Sequence, residues 1–458
     1  LRHNNAQELT AKLRRQLSLT VRLQGNMRQI MFMRFSELAH EQARDLDYKV
    51  TQAVESIRLA ESVCHHRPAL AFSAGKDSTV LWHIIRTHAP DLAARLVVIY
   101  GNTTVEYPEC VAFARRMADE WGAGRFYEAL PGCTDAPGLR YAAQREVLDW
   151  LIESGQVQDV LKEDRKLKST ATLERACPAH LRERFECQHK RYLWPEGTRK
   201  NYWWCVDQFG WPLLGKSFSR LKARRINIDC FLRFSDSRST DDKLLRYYGV
   251  LRHVRISQAC CDILKKGPSE RLQAELDVDV IFKGLMAAES RARQTNFVTR
   301  GYLFQSHRAH LGGDPFWHCN PMSIWTDKDV WDYIRRFQVS YAKLYDMGWS
   351  DMSGEFHKIK RNGCMGCATD ILFPNNHMAM LRRTHPRQWQ GIMEFGMAAE
   401  IQKLQISLRN GQLSLFDVYD AGQLLERRPC IFDRVDKLVL EDSTLDDRLE
   451  FDPEVGGA

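Results

Sequence analysis

An α/β fold on a mostly parallel sheet is predicted by three features of the sequence. Two apolar runs, PALAFS at 68–73 and RLVVIYGN at 95–102, have the length and unbroken hydrophobicity of strands buried on both faces. Each is followed by helical periodicity, in TVLWHIIRTHA after the first run and over 108–121 after the second. Strand, helix, strand, helix in that order lays helices against the faces of a parallel sheet. Around this core the pattern predicts a helical N-terminal segment, an insertion and a helical C-terminal region.

Helical periodicity fills 36–62 and stops at His65, His66, Arg67 and Pro68, which bounds an N-terminal helical segment at 1–63. The sheet core is expected over 64–299. Beyond residue 134 the regularity weakens, with a Trp-rich, Gly- and Pro-punctuated loop at 194–215, so an insertion is placed at about 134–255. A strand region returns at 274–284 and a helix at 326–337, the latter inside a C-terminal helical region over 300–440. The acidic stretch 441–458 reads as a tail. No internal repeat is evident.

The 458 residues suffice for two or three domains, and none of their apolar runs approaches the ~20 residues that span a bilayer. No membrane association is expected. The start, LRHNNAQELT, lacks the apolar core of a secretory signal, and thirteen cysteines, an odd and irregularly spread set, fit a reduced protein. A cytoplasmic location follows as the expectation.

A net charge of +8 favours an anionic partner. One basic run holds Lys12, Arg14, Arg15, Arg22, Arg28 and Arg34. A second, with Arg182, Arg184, Lys190, Arg191, Arg199 and Lys200, is interleaved with Tyr192, Trp194, Tyr202, Trp203 and Trp204. Cations that pair with phosphates and rings that stack on bases make this a candidate nucleic-acid surface, against the alternative of a solvated face with its aromatics turned inward.

SAGKDS, residues 73–78, is the turn between the first strand and its helix. A small glycine-containing loop brings backbone N–H groups near an anion, and the helix N-terminus adds about half a positive charge. Ser73 and Ser78 supply hydroxyl donors, Lys76 offsets charge on a leaving pyrophosphate, and Asp77 caps the helix or orients Lys76. A capped turn without ligand uses the same residues. A Walker A sequence is absent from the chain.

CCDILKKGP at 260–268 sets two adjacent cysteines before Lys265 and Lys266. A disulfide between Cys260 and Cys261 is disfavoured, because adjacent Cα atoms lie about 3.8 Å apart and disulfides span about 4.4–6.8 Å. They are either buried structural thiols or, with the CxxC pair Cys364 and Cys367, a four-thiolate set suited to zinc or an iron–sulfur cluster. Lys265 and Lys266 then lie beside negative charge, or are simply exposed helix lysines.

AFSAGKDST resembles the pyrophosphate loop of the N-type ATP pyrophosphatases, and VIYGNTTVEYPE at 98–109 resembles the next strand and acidic turn of their sulfonucleotide reductase branch. CCDILKKGP resembles the paired-cysteine segment of adenylylsulfate reductases and their relatives. FKGLMAAESRAR at 282–293, NPMSIWTDKDVWDYI at 320–334, YAKLYDMGW at 341–349 and GCMGC at 363–367 continue the order. The resemblance covers roughly residues 65–390 and rests on the series more than on any one motif. It implies an adenine-nucleotide alpha hydrolase-like (PP-loop) core binding ATP and Mg²⁺. By resemblance, Ser73, Ala74, Gly75, Lys76, Asp77, Ser78, Glu106, Gly284, Glu289, Ser290 and Arg291 hold the nucleotide or its metal, with Lys76 and Arg291 stabilising charge on pyrophosphate. It also implies a 4Fe-4S cluster on Cys260, Cys261, Cys364 and Cys367. Glu106 equally suits a turn carboxylate, the alternative for Arg291 is a surface helix residue, and Lys216 is a weaker phosphate candidate.

The reductases carry a late nucleophilic cysteine in a segment like ECGLH, which this sequence lacks; after Cys367 only Cys430 remains. The departure points instead to the DNA phosphorothioation proteins of the DndC and SspD types. These imply adenylation of a phosphate oxygen so that sulfur displaces AMP, with DNA as a partner and a cysteine desulfurase and other phosphorothioation proteins alongside. The alternatives are an APS/PAPS-type sulfonucleotide reductase using Cys430 and a nucleic-acid-binding protein with a degenerate nucleotide site; action on RNA is a variant of the first reading.

Overall fold

The computed structural model describes residues 33–122, 124–161, 168–188, 193–213, 255–350, 355–371 and 376–402. Lys216, Cys430, the acidic tail, Lys190, Arg191, Tyr192 and all of the first basic run but Arg34 lie outside them.

The strands are β1 (Arg67–Phe72), β2 (Val97–Gly101), β3 (Phe126–Ala129), β4 (Gly138–Leu139), β5 (Leu193–Trp194), β6 (Val278–Lys283), β7 (Leu303–His307), β8 (Pro315–Cys319), β9 (Gly348–Ser350) and β10 (Phe356–Lys358). Six form the central sheet in the order β3-β2-β1-β6-β8-β7; β4–β5 and β9–β10 are separate two-stranded ladders. Every neighbouring pair in the central sheet is parallel except β7 with β8. The α/β class with a mainly parallel sheet is therefore what the chain adopts.

The unbroken apolar runs have a direct cause. Leu70 and Phe72 of β1 enter the core that also holds Val80, Leu81, Ile84 and Ile85 of the Lys76–His88 helix. Ala69 enters the opposite core with Val97, Ile99 and Ile281. A strand buried on both faces has no solvent side to alternate with.

From β1 the chain winds outward through β2 and β3, then restarts on the other side of β1 with β6 and β8. The carboxyl ends of β1 and β6 thus flank a topological switch point, where open α/β sheets form their ligand crevice. SAGKDS follows β1 and Gly284 follows β6.

Three sequence expectations change. The 36–62 periodicity is two helices, Phe35–Gln42 and Leu46–Ser62, separated where Asp45 caps the second by accepting from Tyr48 N at 2.8 Å. Both are tied to the rest of the fold, because Lys49 Nζ of the second donates to Gln42 O at the end of the first at 2.7 Å and reaches Asp329 at 2.6 Å. The sheet does not end at 299: β7 and β8 extend it from the stretch expected to be helical. Polar Gln305, Ser306 and His318 interrupt those strands, and β7 is the sheet edge, so neither shows a continuous apolar run. Finally, 274–284 divides into the end of the Gly267–Glu275 helix and β6, with a turn at Asp277, whose φ is 52°.

The insertion has its own small core around Leu139, Ala143, Val147, Leu148, Leu151 and Leu173. Among its described aromatics, Tyr202 and Trp211 are buried, Trp194 donates its indole N–H to Asp207 at 2.6 Å, and Trp203 packs on Phe395 with ring centroids 4.5 Å apart. Of the rings in the second basic run, Tyr202 is turned inward, while Trp194, Trp203 and Trp204 stay partly exposed. No helix among the described residues is long and apolar enough to cross a membrane.

His318 of β8 is buried, and burial first, then Lys283, Arg308 and Arg300, lower its pKa to about 3 from 6.5. Between those values the unfolded chain binds the extra proton and the folded one does not, so stability falls as pH drops through the window. Urea midpoints compared at neutral and acid pH should show that dependence reduced in His318→Gln.

Candidate functional site

The SAGKDS loop is closed by its own hydroxyls. Ser78 Oγ donates to Gly75 O at 2.9 Å and lies 3.3 Å from both Ser73 N and Ser73 Oγ. Thr79 Oγ1 also donates to Gly75 O, at 2.9 Å. Ala74 is fully buried with φ 54°, a left-handed conformation that costs an L-residue ~1–2 kcal/mol. The turn so formed ends at Gly75, the N-cap of the Lys76–His88 helix.

Two close approaches fix the loop from outside. A Cβ on Gly284 would lie 2.9 Å from Asp77 C and O and 3.0 Å from Ser78 N. A Cβ on Gly75 would lie 2.8 Å from Asn362 Oδ1, and Asn362 Nδ2 donates to Ser73 O at 2.7 Å. Gly284→Ala forces backbone against backbone and should destabilise by ~1–3 kcal/mol, read as a lowered denaturant midpoint. An unchanged midpoint would show that the helix end yields freely.

Lys76, expected to offset phosphate charge, is 2% exposed and held by carboxylates: its Nζ is 2.9 Å from Asp327 Oδ1 and 3.1 Å from Asp77 Oδ1. Its backbone N donates to Tyr345 OH at 3.2 Å. Burial, opposed by Lys76, raises the Asp77 pKa. Reaching a ligand requires Lys76 to exchange a carboxylate for the incoming anion.

Arg291 departs from its expected place. Its exposed guanidinium lies 4.0 Å from the Phe35 ring centroid and bonds Gln294 at 3.3 Å, so it faces the N-terminal helices. Arg293, two residues on and so on another side of the helix, pairs with Glu289 and acts electrostatically on Asp77, as Arg361 does on Arg293. Arg361 donates to Glu289 O at 2.9 Å. Glu289 is thus bound to Arg293 and to Met286 N at 3.1 Å, and Ser290 caps the Arg291–Arg300 helix by accepting from Arg293 N at 3.3 Å. Sequence reasoning missed Arg293, Arg361, Asn362, Tyr345 and Asp327. All but Arg361 and Asn362 stood inside quoted motifs; the deciding signal was helical phase, which no single motif displays.

The thiols lie on the same carboxyl rim, one strand over. Thr103, just past β2, donates its hydroxyl to Glu106 at 2.7 Å and lies 3.2 Å from Cys364 Sγ. Met365 N donates to Val105 O at 2.8 Å, and Cys367 N to Cys364 O at 3.0 Å, which pins the CxxC turn to this corner. Burial raises the pKa of Glu106, opposed by Thr103 and Lys265, and also pushes up Cys364 and Cys367. The Cys260–Cys261 hydrogen bond pushes Cys260 up and, helped by Lys265 and Lys266, pulls Cys261 down. Lys266 also pairs with Asp262.

Cys364 acts on Cys260, Cys261 acts on Cys367, and Cys205 joins them from the insertion. Tyr202 stands among them, its hydroxyl donating to Gly366 O at 2.6 Å. Among the described residues no group of three or more His, Cys, Asp or Glu side chains is arranged to hold a metal ion. The thiol set nevertheless suits a thiolate-bound centre chemically: four soft donors from two segments share one corner, where burial disfavours their anions unless a cation offsets them.

Residues 218–370 match the family model described as the phosphoadenosine phosphosulfate reductase domain. This stretch includes all four predicted cluster cysteines and Gly284 but not SAGKDS, which the β1–β6 pairing brings beside it. A phosphoadenosine 5'-phosphosulfate reductase of Xanthomonas axonopodis pv. citri is 29% identical over 102 residues, 22% of this chain and 36% of that protein. The reductase of Xanthomonas campestris pv. campestris strain B100 is 31% identical over 101 residues, 22% and 36% of the two chains. That of Xylella fastidiosa strain M23 is 30% identical over 94 residues, 20% and 34%. The chain thus spans about a third of the length of the curated relatives it matches. A solved phosphoadenylyl-sulfate reductase from Candida auris, a phosphate complex, aligns over 72% of this chain and 98% of its own at 11% identity, with a TM-score of 0.29.

Proposed function

We propose that this chain is a phosphoadenosine phosphosulfate reductase-like enzyme that binds an adenine nucleotide at the SAGKDS loop and transforms sulfur beside it. The observation that carries this reading is the built loop at the switch point, with Lys76 and Arg293 beside it and a corner of thiols on the same rim. The similarity of residues 218–370 favours a sulfonucleotide as substrate. In that chemistry a thiolate takes the sulfonate sulfur and the nucleoside phosphate leaves. A second thiol then releases sulfite and closes a disulfide, so a dithiol reductant is the co-reactant.

The missing ECGLH-like segment favours a second reading, that of an ATP pyrophosphatase. Here ATP adenylates a phosphate oxygen and releases pyrophosphate; the terminal sulfur of a donor persulfide attacks phosphorus and displaces AMP, and a second thiol cleaves the S–S bond so formed, leaving the phosphorothioate and a disulfide, as in DNA phosphorothioation of the DndC and SspD types. Ser73, Gly75, Lys76 and Ser78 would bind the phosphates, with Mg²⁺ neutralising them. In either reading Cys260, Cys261, Cys364 and Cys367 are the residues that would hold a 4Fe-4S cluster. Such a cluster supplies a negatively charged, thiolate-bound centre. Lys265, which acts on Cys261, Cys364 and Glu106, offsets charge at that corner.

The full chain, purified without oxygen, should be assayed for sulfite release from sulfonucleotides with a dithiol, and for pyrophosphate release from ATP with and without DNA. Sulfite alone supports the first reading and pyrophosphate alone the second; neither product would defeat both. Iron and acid-labile sulfide should accompany the protein and fall in Cys364→Ser and Cys367→Ser, whereas zinc in their place would refute the cluster.

A further inference from the structure

Among the described residues three lysines turn inward, and two have carboxylate partners: Lys49 with Asp329, and Lys76 with Asp77 and Asp327. Lys283, the last residue of β6, has none within ion-pairing distance among the described residues. Its Nζ lies 3.1 Å from His318 Nδ1 on β8, and His318 Nε2 lies 2.8 Å from Ser306 Oγ on β7. Strand register puts Lys283 and His318 on the Ile281 and Phe316 face, opposite Phe282 and Cys319.

The line of contacts has a direction. An ammonium only donates, so Nδ1 accepts and the neutral ring carries its hydrogen on Nε2. That N–H donates to Ser306 Oγ, leaving the serine O–H and two of the Lys283 N–H groups to donate elsewhere. Arg308 adds to the excess. Its NH1 meets Glu270 at 2.9 Å, but its buried Nε has no hydrogen-bond partner. Lys283, Arg308 and Arg300 all act on His318, and Glu270 is the carboxylate that acts on Lys283. Burial, then Arg308, push the Lys283 amine down to about 8, which reflects positive charge and desolvation that no nearby anion fully offsets.

We propose that Lys283, steadied by His318 and flanked by Arg308, is a second oxyanion subsite that takes a phosphate group at the face of the sheet opposite Phe282. A phosphate suits it because its oxygens accept from several donors, among them Lys283 Nζ and the unpartnered Arg308 Nε, while its charge answers Lys283, the cation without a described carboxylate at ion-pairing distance. The next residue, Gly284, touches the SAGKDS helix start, so the subsite adjoins the loop while using different side chains. The inference goes beyond the nucleotide reading and does not depend on it.

The test is competitive labelling of the full chain with a trace amine-acylating reagent near neutral pH, reading the Lys283 peptide by mass spectrometry with exposed Lys328 as the internal reference. Inorganic phosphate at about ten times its Kd should slow Lys283 labelling about ten-fold by occupancy. Protection should weaken in Arg308→Gln and persist in Lys76→Met, which keeps failure of the loop distinct from failure of the subsite. Protection by free phosphate identifies a free or terminal group; protection only by an oligodeoxynucleotide lacking terminal phosphates identifies a phosphodiester. Equal labelling with and without both probes overturns the proposal, as does protection lost in Lys76→Met but intact in Arg308→Gln.

Discussion

Lys76→Met should lower nucleotide turnover about 10²–10³-fold, the usual effect of removing one preorganised charge-stabilising donor. The structure gives this loss two sources that a second variant separates. Without the amine, Asp77 and Asp327 lose the cation that sits 3.1 and 2.9 Å from them, and Asp77 already resists ionisation because it is buried. Part of the effect is therefore a distorted loop. Lys76→Met with Asp327→Asn removes the excess negative charge and should recover thermal stability while turnover stays low. Wild-type turnover in Lys76→Met would remove Lys76 from the chemistry, and recovery of turnover in the double variant would reduce it to a structural counter-ion.

The largest expected stability change lies far from the loop. Lys49 is 1% exposed, donates to Asp329 at 2.6 Å and to Gln42 O at 2.7 Å, and so joins the first two described helices to the Asp327–Phe337 helix. Asp329 also accepts from Thr326 N at 2.7 Å and Thr326 Oγ1 at 2.6 Å, so one carboxylate caps a helix and pairs a buried cation. Asp329→Ala strands the ammonium without a counter-charge and should cost about 3–5 kcal/mol. Lys49→Met together with Asp329→Leu should cost less than Asp329→Ala, since no unpaired charge remains. Equilibrium urea unfolding of the three proteins decides this; a single-variant loss below about 1 kcal/mol would mean that water reaches the pair.

The core of the fold was legible because its determinants are local. PALAFS and RLVVIYGN are strands buried on both faces, and the helix starts at Pro108 and Asp327 fall where the periodicity places them, while the helix after the first strand begins at Lys76, three residues before the apolar periodicity of TVLWHIIRTHA. The edge of the sheet was illegible, since β7 and β8 carry polar residues whose partners come from one another and from β6. The candidate site divides in the same way. SAGKDS announces a strand-to-helix turn by composition alone, whereas the choice of Arg293 over Arg291 depends on where that helix sits against Phe35 and Asp77.

By itself the sequence determined the α/β class, the strand-to-helix turn after the first strand and the two cysteine pairs, because each is written in neighbouring residues. Only the tertiary structure decided that Lys76 is held between Asp77 and Asp327, that Tyr202 and Trp211 of the insertion are buried, and that Lys283, Ser306 and His318 meet. Those outcomes depend on which strands become neighbours and on which face each side chain points, and burial then determines which charges go unanswered.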